Sequence, residues 1–263
     1  MVTDIVKRRW VRLTEQLEKR LSKFTFPVTE RRVFFDNPAT GLDSTKEYKA
    51  IIRTDKNKLI SIMQDSYQLI PNREVIMPLL EQLHQLDTRW HFDNSHSFVD
   101  SKRMRLQVTF PDLTLNDGRS DIALSLFLHN SYDGSEGVRM FWGAIRGICS
   151  NGMVFGEVLS KFYSSHTKGI NLTNLKEQVE TTYNQIPVIK ERISILQKIE
   201  ATQTISDEVN HKLCKNAAAY VAEQPTPESQ WILYNYLTYY ISHLIDKRMR
   251  AAYQMKVSKL FRL

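Results

Sequence analysis

The sequence predicts an α+β fold: a mostly antiparallel sheet in the N-terminal half, packed with helices and followed by a helical C-terminal half. Three observations carry this. Period-two alternation recurs up to about Ser150 and stops at Gly152, after which apolar residues recur at helical spacing. The 263 residues, 42% hydrophobic and 25% charged, have an ordinary globular composition and enough length to bury a core. Two cysteines, Cys149 and Cys214, are too few for a disulfide framework and fit a reducing compartment. The expected division is a basic amphipathic helix over 1–27, a sheet region over 28–168, and a helical region over 169–263 packed on that sheet.

From Thr3 to Phe24, Ile5, Val6, Trp10, Leu13, Leu17, Leu21 and Phe24 share one helical face, and Pro27 stops the helix. Asp36–Thr45 reads as a loop by composition. EYKAIIRT and KLISIMQ, separated by Asp55-Lys56-Asn57, read as a hairpin. A helix then starts near Asn72, taken as its N-cap, with Val75, Leu79, Leu80 and Leu83 inward and Pro78 disturbing its early turns. RMRLQVTF alternates, with Met104, Leu106, Val108 and Phe110 on one face and Arg103, Arg105, Gln107 and Thr109 on the other. DIALSLFLHN places Ile122, Leu124, Leu126 and Leu128 together, and VRMFWGAIRGICS closes the sheet region after a turn at Asp133-Gly134.

Beyond Gly152, five stretches read as helices: MVFGEVLSKFYSSH, LTNLKEQVETTYNQ, PVIKERISILQKIEA, SDEVNHKLCKNAAAYVAE and the single long run from Pro227 to Phe261. Ser206 and Thr226-Pro227 are the expected caps of the last two. In that final helix, Trp231, Asn235, Thr238 and Ser242 fall on one stripe, a polar seam on an aromatic face that would join the helical half to the sheet.

The net charge of +7 is unevenly spread. Residues 1–32 hold nine Lys/Arg against four Asp/Glu, and residues 243–263 hold six against one, so each end is +5 and the remainder sums to −3. Basic ends on a neutral body suggest an acidic partner, nucleic acid first. The candidate contacts are Lys7, Arg8, Arg9 and Arg12, then Arg103, Arg105 and Arg146, then Lys247, Arg248 and Arg250. Tyr132, Phe141 and Trp142 could stack bases beside them. The alternative is two solvated basic helices. The N-terminal stretch has no apolar core suited to a secretory signal and no apolar run approaches a membrane span, so a cytoplasmic protein without membrane contact is expected.

Five segments then stand out in order: SYQLIPN, NSYDGSEG, RGICSNGMV, SSHTKG and WILYNYLTYYISH. Together they resemble the phage/plasmid-like family catalogued as domain of unknown function 932. The resemblance falls on Tyr67, Pro71 and Asn72; on Asn130, Asp133 and Gly134; and on Arg146, Cys149, Asn151 and Gly152. It continues at His166 and Thr167 and ends at Trp231, Asn235 and Thr238. It implies an origin in a mobile element of a bacterial host, near recombination, single-strand-binding and anti-restriction functions, but no activity.

The Arg146–Gly152 stretch admits two readings. A cysteine between strand and helix could gain thiolate character from the helix dipole, and the same N–H groups could bind a phosphate. A nucleophile needs a base, however, and His129 and His166 could approach only through the fold. The simpler reading is a structural turn, with Asn151-Gly152 suited to positive φ and Arg146 paired with Asp133. His84, His91 and His96 with Asp93 and Asp100 match no common metal spacing. No nucleotide loop or hydrolase motif is present. No catalytic residue, metal or cofactor is therefore expected, and an enzyme centred on Arg146 and Cys149 ranks third.

First stands a nucleic-acid-binding accessory protein, DNA the leading ligand, using a basic groove on the face of Arg103, Arg105 and Gln107. Its element order is loosely like that of single-strand-annealing proteins, which leaves a homo-oligomer open. Second stands an inhibitor that docks on a host nuclease or defence complex.

Overall fold

A computed structural model describes residues 17–86, 88–94, 96–118, 120–146, 152–154, 162–164, 186–201 and 215–263, with Glu15, His166 and Asn184. Residues 17–21 are helical, and Leu21 and Phe24 are buried in the main core. The earlier part of the helix expected from Thr3 lies outside the described residues.

The chain next builds a three-stranded antiparallel sheet from β1 (Val28–Asn37), β2 (Gly41–Arg53) and β3 (Lys58–Gln64). Asp36–Thr45 is therefore not a loop. Only Pro38–Thr40 turn, between a pairing of Asn37 with Gly41, and strand continues on both sides. Polar composition belonged to a short turn: Asn37 Oδ1 accepts from the Ala39 N–H at 3.0 Å, and Gly41 takes φ +81°. The β2–β3 hairpin matches the expectation, with a 3₁₀ turn at Thr54–Lys56 and Asn57 in the left-handed region at φ 45°.

Helix α1 (Asn72–Gln85) follows. Val75, Ile76, Leu79, Leu80 and Leu83 are buried, a single stripe at helical spacing. Pro71 occupies the N-cap position and Asn72 is the first helical residue, so the cap lies one residue before the expected one. Pro78 removes one hydrogen bond to the first turn, where carbonyls near exposed Glu74 can be met by water, and the helix runs on unbroken.

The second sheet is antiparallel, ordered β10-β8-β7-β6-β4. Its long strands are β6 (Arg103–Asn116), β7 (Asp121–Ser131) and β8 (Val138–Arg146). Short strands β4 (His91–Phe92) and β5 (Phe98–Val99) share one edge, against β6. The other edge, along β8, carries β9 (Gly152–Val154) and β10 (Phe162–Ser164). The stretch expected as the first C-terminal helix thus contains two strands, because pairing to the open edge of β8 overrides local helical spacing.

One face of this sheet carries Met104, Leu106, Val108 and Phe110, Ile122 to Leu128 at alternate positions, and Val138, Met140 and Trp142. It packs on α1 and on four further helical contributors: α2 (Ile186–Lys198), α3 (Lys215–Ala222), α4 (Gln230–Leu244) and α5 (Lys247–Leu260). Each fully buried Leu, Ile or Phe there contributes roughly 1.5–3 kcal/mol. The last expected helix is two, broken at Ile245-Asp246. Its start is capped by Ser229, whose Oγ accepts from the Ile232 N–H, rather than by Thr226. LTNLKEQVETTYNQ and Ser206 lie outside the described residues.

Of the stripe expected to join the helices to the sheet, Trp231 makes the connection, while Asn235 and Thr238 bond carbonyls of their own helix. Trp231 Nε1 donates to Asp117 Oδ2 at 2.7 Å, and Gln197 Nε2 from α2 donates to the Asp117 carbonyl at 2.6 Å. Asp117 sits in the β6–β7 turn, where its other carboxylate oxygen accepts from the Ser120 N–H. Trp231→Phe removes a buried hydrogen bond to a carboxylate, and we expect it to lower stability by about 1.5–3 kcal/mol. Urea denaturation followed by circular dichroism measures it; an unchanged midpoint would deny the anchor.

Candidate functional site

Several residues of the sequence motifs meet where the two sheets join, at the end of β7. Asn130 Nδ2 donates to the Ile70 carbonyl and to Asn72 Oδ1, both at 2.9 Å. Asn72 Nδ2 donates to the Phe24 carbonyl and its backbone N–H to the Tyr132 hydroxyl, both at 2.8 Å. Tyr67 donates its hydroxyl proton to the Ser131 carbonyl at 2.9 Å. Ser61, from β3, donates to the Tyr132 carbonyl. Burial, with the neighbouring Tyr132 and Asp133, raises the Tyr67 phenol well above its usual value, so it stays a donor.

His166 closes the joint from the far side of the sequence. Its ring stacks on Tyr67 with centroids 4.9 Å apart, and its backbone carbonyl accepts from the Gln68 N–H. Nδ1 lies 3.0 Å from the Gln68 carbonyl, so Nδ1 carries the proton there. Burial holds this histidine below its ordinary value, against the pull of the Gln68 and Glu136 carbonyls. Asp133 and Gly134 form the β7–β8 turn: Asp133 Oδ1 accepts from the Ser135 N–H at 3.0 Å, and Gly134 sits at φ +68°. A Cβ on Gly134 would lie 2.8 Å from Met63 Cε, the movable tip of a flexible side chain, so it is the positive φ rather than space that favours glycine there.

Beside this joint lies a buried ionic group on the other face of the second sheet. Arg105 and His129 are cross-strand partners, and both reach Glu136, which Arg105 contacts through Oε1 and His129 through Oε2 at 3.4 Å. Burial would raise the Glu136 carboxyl, but hydrogen bonding and charge from His129 and then Arg105 outweigh it and hold it at about 2. Burial pushes His129 down, with Arg105 and Arg139 adding to the push against Glu136. At neutral pH the counter-ion of Glu136 is therefore the Arg105 guanidinium. His129 is 4% exposed, with its ring edge-on to Phe141, so it meets no substrate in this conformation.

This overturns the expected basic groove. Arg105 is 8% exposed and paired, Gln107 is buried with its amide on Ser125 Oγ, and Thr109 reaches the same hydroxyl. Tyr132, Phe141 and Trp142 are all buried and offer no platform for a base. Alternation had signalled a solvated face. The face is covered, and Met255 of α5 packs on Phe127 and Phe141 there. Arg103 remains about a third exposed, 3.9 Å from Asp133, which takes the place proposed for Arg146. Arg250 donates Nε to the Ile245 carbonyl at 2.8 Å and so finishes α4.

Lys7, Arg8, Arg9, Arg12, Cys149 and Asn151 lie outside the described residues, as do the side chains of Arg146, Lys247 and Arg248. Gly152 opens β9 opposite Ile145. Trp231, Asn235 and Thr238 belong to the other end of β7: Asn235 Nδ2 donates to the Trp231 carbonyl, and Thr238 to the Asn235 carbonyl. The histidines and aspartates weighed as metal ligands make other contacts. His96 bonds Asp93 at 2.7 Å and His84 packs edge-on to Trp90; among the described residues no three His, Cys, Asp or Glu side chains are grouped for an ion.

Sequence reading missed one basic surface altogether. Arg31, Arg32, Lys46 and Lys49 line a cleft of about 490 Å³ on the first sheet with Tyr48, Ser44, Thr45, Glu30 and Asp65. The signal is present in TERRVFF and STKEYK, but the charge density of the first does not read as strand and the second begins inside the Asp36–Thr45 stretch that reads as a loop.

Two packed antiparallel sheets held by a buried amide and tyrosine joint, with a helical half anchored at Asp117, define an α+β protein built around its motifs. The chain belongs to the family described as domain of unknown function (DUF932), whose profile matches residues 59–259. No curated protein and no solved structure matches the chain significantly. No helix among the described residues is long and apolar enough to cross a membrane.

Two expectations follow from this geometry. Asn130→Ala withdraws the donor from both Asn72 Oδ1 and the Ile70 carbonyl and should cost about 1–3 kcal/mol per group left unsatisfied, read from urea denaturation. Acid should act in two steps. Buried His129 and His166 are held below the usual histidine value, so the unfolded chain takes up protons from about pH 6.5 downward that the fold refuses. Glu136 contributes stability above its ordinary value of 4.5, lost as pH falls toward about 2. Midpoints measured from pH 8 to 3 should fall in both windows, and Glu136→Gln should flatten the lower one.

Proposed function

We propose that the protein binds nucleic acid, single strands above all, as an accessory protein encoded by a phage or plasmid. The charge distribution carries this reading. Residues 1–32 and 243–263 together carry an excess of ten positive charges, and the body between them is −3. In α5 and the residues after it, Lys256, Lys259 and Arg262 are exposed, and no carboxylate occurs from Lys247 to Leu263. Cations set out in this way suit phosphate contacts, which supply most sequence-independent affinity.

A second reading is favoured by the tip of the β1–β2 ribbon. Phe34 is 58% and Leu42 76% exposed, with Phe35 beside them. An apolar tip on a two-stranded arm suits docking on another protein, as an inhibitor of a host defence complex would require.

A salt titration separates the two. Binding of a labelled strand should weaken steeply with salt, at a logarithmic slope near ~0.7 per phosphate contact. Deletion of residues 1–14 removes four cations and one carboxylate yet keeps Leu17, Leu21 and Phe24 in the core. It should weaken all sequences alike and reduce the slope by about 2. No retention of DNA or RNA at about 50 mM salt would defeat the nucleic-acid reading and put the inhibitor first.

A further inference from the structure

The pairing of β1 with β2 is interrupted at one place. Arg32 lies opposite Lys49, but Val33 lies opposite Thr45, so Lys46, Glu47 and Tyr48 have no partner on β1. A bulge of this kind bends its strand and re-aims side chains. Its middle residue is held on both sides: the Glu47 N–H donates to Thr45 Oγ1 at 3.0 Å, and the Glu47 carbonyl accepts from the Asp65 N–H at 2.8 Å. The cleft of about 490 Å³ opens beside it, a size suited to a nucleotide-sized ligand.

Its lining has a definite chemistry. Four cations, Arg31, Arg32, Lys46 and Lys49, face two carboxylates, Glu30 and Asp65. Glu30 is already engaged by Lys49 at 3.0 Å, and Arg31 is steadied by the Glu30 carbonyl at 3.2 Å. Arg32 and Lys46 form no ion pair with a described residue and stand exposed at the two sides of the bulge. Tyr48, 44% exposed, is the aromatic ring of the cleft, and Phe34 and Phe35 continue outward along the ribbon. Cations that can track a backbone next to an accessible ring form the footprint of a single strand, since stacking on Tyr48 needs a base already out of a duplex.

We propose that this cleft seats a nucleotide of single-stranded nucleic acid, with Arg32 and Lys46 on the phosphodiester and a base against Tyr48. The proposal rests on the nucleic-acid reading above and names where on the chain the strand is held. Arg31 and Lys49 complete the positive wall, and Glu30 and Asp65 keep the site from being a general anion trap.

The test titrates the full chain with a fluorescent thymidine strand of about 12 nucleotides, within the span of common single-strand sites. Circular dichroism confirms that each variant is folded. Arg32→Glu with Lys46→Glu should weaken binding at least about tenfold at 50 mM salt and cut the salt slope by about 1.4, two contacts at about 0.7 each. Tyr48→Ala should weaken it by about fivefold or more with the slope unchanged, because stacking releases no counterions. Lys198→Glu, an exposed charge on α2, should change affinity by less than about twofold. If the cleft variants bind like the parent, or Lys198→Glu loses as much, the cleft is refuted while nucleic-acid binding stands. A full chain that retains no strand refutes both readings. Thymidine monophosphate that competes as well as the strand, nucleotide for nucleotide, would reassign the cleft to free nucleotides and overturn the strand proposal.

Discussion

The paired carboxamides of Asn72 and Asn130 are the interaction on which the rest depends. Both side chains are buried, where an amide that finds no partner costs as much as a lost core contact. Asn72 satisfies the Phe24 carbonyl 48 positions earlier and Asn130 satisfies the Ile70 carbonyl 60 positions earlier. One bonded pair thus fixes where the N-terminal helix ends, where α1 begins and where β7 stops. With the end of β7 fixed, Tyr132 falls between Phe26 and the start of α1, and the first sheet has a wall to pack on.

The second sheet pays for its buried polar face with internal pairing. Gln107, Thr109 and Ser125 bond one another, and Arg105 and Glu136 neutralise each other beside His129, so little is left for solvent. Such a face is rarely the most stable solution, since apolar residues of equal volume often do as well. Its effect is on register. A slip of β6 against β7 by one residue would set Arg105 against a leucine and strand its charge in the core.

Much of this was legible from period and motif. The alternations of β6, β7 and β8, the inward stripe of α1 and the set of motif residues that meets at the joint were all readable as patterns. What failed, failed for one reason: pattern reports which residues share a face, not what covers it. Arg105 alternates as a surface residue would, yet Glu136 from the next turn buries it. TERRVFF carries three charges among seven residues and so does not read as strand, although pairing with β2 makes it one. Gly152–Val154 and Phe162–Ser164 look helical in isolation and become strands because β8 offers them an edge. The break at Ile245-Asp246 has no glycine or proline to announce it.

The short strands at the two margins of the second sheet have a consequence for how the protein behaves in a crowded solution. Unpaired strand margins invite other chains to add on, and long flat ones seed aggregates. Here each margin is covered in fragments two or three residues long, β4 and β5 on β6, β9 and β10 on β8. A visiting strand finds no uninterrupted ladder to copy beyond such a fragment. The leucine-rich β7 lies at least one long strand in from either margin, between β6 and β8, so this apolar strand presents no edge of its own to a visiting chain.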